Sequence, residues 1–195
     1  MVAPDRSSSS YKDVNSYYTF GMRQGLRLHS DSLCAAATRI EADIARPRPD
    51  SLILSYVVSG RIGDLRLPPV VTAARADELW QRTCFEAFVL PSASLGYYEF
   101  NFSPSTQWAA YQFDGYRSGM RVAAEIGAPR IEVRSTADSY TLQASLELDG
   151  LSWPWRLGLS AVLEETNGRK SYWALAHPTG KADFHHADCF ALELS

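Results

Sequence analysis

Residues 79–117 read LWQRTCFEAFVLPSASLGYYEFNFSPSTQWAAYQFDGYR, and the alternation inside this stretch decides the fold. The runs TCFEAFVL (83–90), YYEFNF (97–102) and WAAYQF (108–113) are short, aromatic and β-branched, and are parted by Pro, Ser and Gly. A period of two places successive side chains on opposite faces of a strand. Over 80–90 it predicts Trp80, Arg82, Cys84, Glu86 and Phe88 on one face and Thr83, Phe85, Ala87 and Val89 on the other. Over 97–102 it sets Tyr97, Glu99 and Asn101 against Tyr98, Phe100 and Phe102. One face of each run is apolar and belongs to a core; the other carries hydrogen-bonding groups among aromatics.

The rest of the chain repeats this period. Segments 38–44, 51–58, 130–134, 140–148, 156–163, 171–176 and 189–194 read as further strands, at the roughly 8–15-residue spacing of a sandwich or barrel. Asp-Gly (114–115, 149–150), Asn-Gly (167–168) and Pro-Thr-Gly (178–180) supply turn chemistry between them. Hairpins are expected over 130–148 and 156–176. A helical pattern of one or two turns is expected only at Thr72–Leu79, leading into Trp80. The expected fold is all-β, a two-sheet antiparallel β-sandwich with short helical turns. Residues 1–22 read as a flexible Ser- and Tyr-rich tail and residues 23–195 as a single domain.

Composition narrows the function. Hydrophobic residues make up 46% and charged residues 21% of 195 residues, and the net charge is -3. No basic stripe prepares the chain for nucleic acid, and no basic cluster for an anionic membrane. No apolar run approaches the ~20 residues of a membrane span, and the N-terminus lacks the pattern of a secretory signal. Cys34, Cys84 and Cys189 form no CxxC pair and read as reduced thiols, which suits a cytoplasmic setting.

If strands 80–90 and 97–102 are neighbours, Arg82, Glu86, Glu99 and Asn101 form one polar patch with Trp80 at its edge. Such a patch can stack a sugar ring and hydrogen-bond its hydroxyls. Two other readings exist for the same residues: a structural ion pair of Arg82 with Glu86 or Glu99, and a glycosidase acid–base pair of Glu86 and Glu99. No nucleophile motif, phosphate loop or metal signature accompanies them, so a binding module is expected rather than an enzyme. DFHHAD (183–188) offers His185, His186 and Asp188 to a ligand, but no separate cluster completes a metal site. Trp153 and Trp155 are expected to seal one end of the sandwich.

The order LWxxTCFEAF, YxEFNFSPSxxWAAYxFDGYR, LGLSAV and SYWALAHPxGKxDFHHxDxF, from about Gly25 to the C-terminus, resembles bacterial DOMON-like proteins. Their superfamily joins family-nine carbohydrate-binding modules and haem-binding DOMON cytochromes. The resemblance implies a β-sandwich whose ligand is a saccharide or haem. In the sugar modules a tryptophan lies six residues before a strand glutamate; Trp80 and Glu86 match. Their terminal pattern is met by Trp173, Pro178, Gly180, Phe184 and Phe190, with Phe184 standing where a second ring-clamping tryptophan is expected. On this reading Trp80, Arg82, Glu86, Glu99, Asn101, Trp173, His177, Phe184 and His185 are the candidate ligand contacts. No cofactor is required. The haem alternative would use Met120 and His177 as axial ligands. A third alternative is a protein-interaction domain without a small-molecule ligand.

Overall fold

The structure is a computed structural model and describes residues 20–195. Among these, twelve strands run in chain order: β1 (Phe20–Leu28), β2 (Ala37–Arg46), β3 (Ser51–Gly60), β4 (Cys84–Pro91), β5 (Tyr97–Phe102), β6 (Trp108–Phe113), β7 (Arg121–Val122), β8 (Arg130–Ser135), β9 (Ser139–Glu147), β10 (Trp155–Glu164), β11 (Lys170–Ala174) and β12 (Leu192–Leu194). Short 3-10 turns occur at Ile62–Asp64, Leu79–Gln81 and Ala187–Cys189. No helix among the described residues is long and apolar enough to cross a membrane.

One face of the sandwich has the strand order β1-β2-β3-β9-β8 and the other β7-β6-β5-β4-β10-β11, all paired antiparallel. β12 pairs with the first residues of β10. The two faces are joined by β1. Its residues 20–26 pair with β2, while Arg27 and Leu28 pair with Ala174 and Trp173 of β11.

Alternation explains why the sheets close on each other. Phe85, Ala87 and Val89 of β4, Phe100 and Phe102 of β5, and Leu157, Leu159 and Ala161 of β10 all enter one interior cluster. Opposite them stand Ile40, Leu52, Leu54, Tyr56, Leu142 and Leu146 from the other sheet. The Leu, Ile, Val and Phe side chains among them each contribute roughly 1.5–3 kcal/mol by leaving water. The Tyr56 hydroxyl crosses the interior and donates to the Glu86 carbonyl at 2.7 Å. Both expected hairpins form, as β8–β9 and β10–β11. Trp155 is fully buried, and Trp153 lies under the Arg46 guanidinium at 3.3 Å.

Three expectations need correction. Phe20–Met22 belong to β1 rather than to a tail; residues 1–19 lie outside the described residues. Met22, Gln24, Leu26 and Leu28 are the more buried set in β1, but two glycines and three charged or amide side chains dilute that pattern. Thr72–Leu79 is not helical except at Leu79, where a 3-10 turn begins. Arg75 instead bridges to Trp108, stacks 4.1 Å over its ring, and donates to the carbonyls of Ala110, Ala123 and Ile126. Those long-range bonds outweigh a weak local preference for helix. Finally, the strand expected over 80–90 begins at Cys84, so Trp80 and Arg82 precede it.

Candidate functional site

The outer face of the β7-β6-β5-β4-β10-β11 sheet is not left bare. In register across it stand Ala109, Asn101, Glu86, Ser160 and Ala174, one residue from each of five strands. The next row is Val122, Tyr111, Glu99, Phe88 and Gly158. Alanine and serine beside Glu86 and Asn101 leave room above them, while the taller aromatics rise around that low floor. A cleft of about 740 Å³ opens there. Its walls include Trp80, Asp77 and Glu78 from the segment before β4, Arg117 and Met120 from the segment between β6 and β7, Arg121 from β7, Tyr172 and Lys170 from β11, and Ala182, Phe184 and His185 from the C-terminal segment.

The C-terminal segment approaches because Gly158 permits it. A Cβ at Gly158 would stand 3.0 Å from the Cys189 carbonyl, so the segment would have to give by a few tenths of an ångström. The chain then carries Phe184 and His185 onto the sheet face. His185 sits among Phe88, Tyr97 and Phe113, with ring centroids 5.1, 5.8 and 5.1 Å away. The Tyr97 hydroxyl accepts from the Arg117 backbone N–H at 3.3 Å and lies 2.7 Å from His185 Nδ1. Having accepted one bond, the phenol donates to Nδ1, which leaves the imidazole proton on Nε2, 3.6 Å from Glu99 Oε2. Burial, helped by the Arg117 charge and opposed by Asp183, lowers the His185 pKa to about 4, so the ring is neutral at physiological pH.

The floor holds two acids. Glu86 is 3% and Glu99 6% exposed. Ser160 donates to Glu86 Oε2 at 3.1 Å, and the Asn101 amide donates to Glu99 Oε1 at 2.7 Å. Cys84 Sγ lies 3.5 Å from Asn101 Oδ1 beneath them. Burial first, and then the Glu99 charge, push Glu86 up to about 8, against the Ser160 hydrogen bond and the more distant Arg117. Glu99 is also raised by burial, opposed by Asn101 and Arg117. Arg117 itself is held by Asp183, to which it donates at 2.7 Å.

Of the residues marked from sequence, Trp80, Glu86, Glu99, Phe184 and His185 line this one cleft, and Asn101 lies under it bonded to Glu99. Trp80 is half exposed. Arg82 is elsewhere: with Arg66 it pairs with the buried carboxylate of Glu164, so it bonds neither Glu86 nor Glu99. Trp173 turns into the interior between the sheets, where its indole N–H donates to Ser171. His177 stands behind Phe184, and its Nε2 is 2.8 Å from the Arg27 carbonyl. Met120 lines the cleft and His177 does not, so the structure does not bring the haem pair to one place. His185 and His186 diverge: His186 Nδ1 accepts from the Asp188 N–H at the entry to the 3-10 turn.

Ser160 and Tyr172 were missed by sequence reasoning, and Tyr111, which reads from sequence as core or rim, lines the cleft. Ser160 had a signal, since it interrupts the apolar run LGLSAVL on the face that alternation assigns away from the core. Tyr111, whose hydroxyl donates to Asp77 at 2.7 Å, and Tyr172 had none beyond strand membership.

No protein-family model and no curated protein sequence matches the chain. Among solved structures, it is similar in fold to a candidate carbohydrate-binding protein from Bacteroides uniformis. The TM-score is 0.59 at 13% identity, over 87% of this chain and 84% of that one. Two structures of a family-nine carbohydrate-binding module from Caldicellulosiruptor kristjanssonii also match. The cellotriose complex gives a TM-score of 0.45 at 15% identity (87% of this chain, 78% of that one), and the glucose complex 0.40 at 14% identity (80% and 76%). The β-sandwich expected from sequence is the fold observed.

Proposed function

We propose that this chain is a non-catalytic binding module whose cleft takes a saccharide. The observation that carries the reading is the cleft itself: the half-exposed Trp80 and the aromatic rings of Tyr172 and Phe184 wall a floor of Glu86 and Glu99, with Asn101 and Ser160 positioning the two carboxyls. Indole and phenyl faces stack against the C–H face of a sugar ring, while the floor and rim meet its hydroxyls. The fold shared with the candidate carbohydrate-binding protein from Bacteroides uniformis is consistent with this role. Weak to moderate affinity is expected, because each sugar hydroxyl exchanges water for protein at little net gain.

Titration calorimetry against mono- and oligosaccharides, with D-glucose and cellotriose in the panel, tests the reading. Saturable heat with at least one sugar is expected, and the affinity falls about tenfold in Trp80→Ala. Absence of heat with every sugar at millimolar concentration would sink it.

A further inference from the structure

Two carboxyl groups share the cleft floor on adjacent strands. Glu86 is paired across the ladder with Asn101, and Glu99 with Phe88, so the two acids are diagonal neighbours on one face. Among the described residues neither makes an ion pair with a lysine or arginine, although the Arg117 charge favours ionisation of both through space. Arg117 is engaged by Asp183 and Arg121 by Asp114. The neutral His185, 3.6 Å from Glu99, brings no charge. The direct donors are one hydroxyl and one amide, Ser160 and Asn101.

The other titratable groups facing the pair do not change this. Cys84 lies beneath it and is held as a thiol by burial and by both carboxyls. Tyr97 and Tyr111 flank Glu99, and burial raises the pKa of both phenols. Asp77, Glu78, Lys170 and Tyr172 stand on the walls. Two adjacent buried charges without a paired counterion cost far more than one, and such a pair relieves the cost by keeping a proton.

We infer that Glu86 and Glu99 hold one proton between them in the free cleft, so that the floor presents a carboxylic O–H donor beside a carboxylate acceptor and selects an uncharged, hydroxyl-bearing group over an anionic one. This rests on the saccharide reading for its ligand but not for its proton. A sugar hydroxyl accepts from the acid and donates to the carboxylate at once. A ligand carboxylate would meet the remaining negative charge and find only one donor. Loss of the shared proton at high pH leaves two acceptors, and the match is lost.

The proton is tested without any ligand, by 13C NMR of Glu-labelled protein from pH 3 to 10 in the wild type, Glu86→Gln and Glu99→Gln. Two well-separated carboxyl steps are expected in the wild type. The upper one falls by more than one pH unit in each variant, because the remaining acid has lost its charged neighbour. Two cleft carboxyls both fully ionised by pH 6 in the wild type would overturn the inference. The selectivity is tested by calorimetry with D-glucose and D-glucuronate as neutral and acidic probes. Glucose is expected to bind at least tenfold tighter at pH 7, fading above the upper step; equal affinity for the two would overturn it. Heat from neither sugar overturns the ligand half and counts against the saccharide reading, while the carboxyl titration still decides the proton.

Discussion

The Tyr97 hydroxyl lies 2.7 Å from His185 Nδ1 and ties the C-terminal segment to the strand that carries Glu99. Tyr97→Phe removes that bond and the acceptor for the Arg117 N–H, leaving two part-buried polar groups unpaired. Unfolding free energy is expected to fall by about 1–3 kcal/mol. Urea titration measures the loss. Amide exchange should quicken over 183–190 more than over β2 and β3, and a uniform increase would contradict a local clasp.

The ionisable groups of the cleft set a window of stability. His185 resists protonation in the fold, so its contribution is present above pH 6.5 and is lost as pH falls toward about 4, on the order of 3 kcal/mol. Glu86 has the opposite sign for a carboxyl. Its raised pKa stabilises the fold below about 4.5, and that contribution is lost as pH rises through about 8, on the order of 5 kcal/mol. Between pH 4.5 and 6.5 the two slopes oppose, and above 6.5 only the Glu86 slope of the two remains. Chemical denaturation at pH 5.5, 7 and 9 should therefore show stability declining on the alkaline side. In Glu86→Gln, which keeps the shape without the ionisation, the decline should largely vanish, so that the variant exceeds the wild type at pH 9. Parallel pH profiles of the two proteins would contradict this.

Because Glu86 is mainly uncharged at neutral pH, a glutamine can stand in for it. Glu86→Gln is expected to retain saccharide binding within about tenfold at pH 7 and to keep it at pH 9, where the wild type weakens. Calorimetry at the two pH values checks this, and complete loss of binding at pH 7 would show that the charged form is the one used.

Arg82 separates the structure from the sequence reading. Its guanidinium is largely exposed and shares Glu164 with Arg66. Arg82→Ala is expected to cost less than about 1 kcal/mol, as exposed ion pairs do, and to leave saccharide affinity unchanged. A tenfold loss of affinity with normal stability would place Arg82 back at the ligand.

Period-two alternation made most strands legible, along with both hairpins and the two faces of β4 and β5. It works because each strand has one face in the interior, where Phe85, Ala87 and Phe100 have no alternative. It failed where the chain leaves regular structure. Alternation extended backwards over the 3-10 turn puts Arg82 on the Glu86 face, and the turn redirects it to Glu164. Trp173 was marked from its place in a pattern, yet its register opposite Ala161 turns it inward. The cleft walls come from segments distant in sequence, and only the closed fold brings Trp80, Arg117 and Phe184 around one floor. The contribution of β1 was hidden because its polar residues and glycines mask the alternation that ties the sheets together.

Of the aromatic walls Trp80, Tyr172 and Phe184, Trp80 is the most exposed, and it stands on a 3-10 turn, so it can be removed with little harm to the fold. Trp80→Ala is expected to leave the melting temperature nearly unchanged and to weaken saccharide binding by about tenfold, a stacking loss of about 1.4 kcal/mol. A large fall in melting temperature would show that Trp80 holds the fold instead.

The most direct measurement is a 1H–15N chemical-shift map of the labelled protein titrated with D-glucose and cellotriose to millimolar concentration. Saturable shifts are expected for Trp80 Nε1–H and for the amides of Glu86, Glu99, Arg117, Tyr172 and His185, with β2, β3 and β9 unmoved. Saturable shifts confined to another surface, or none with either sugar, would contradict a saccharide site in this cleft.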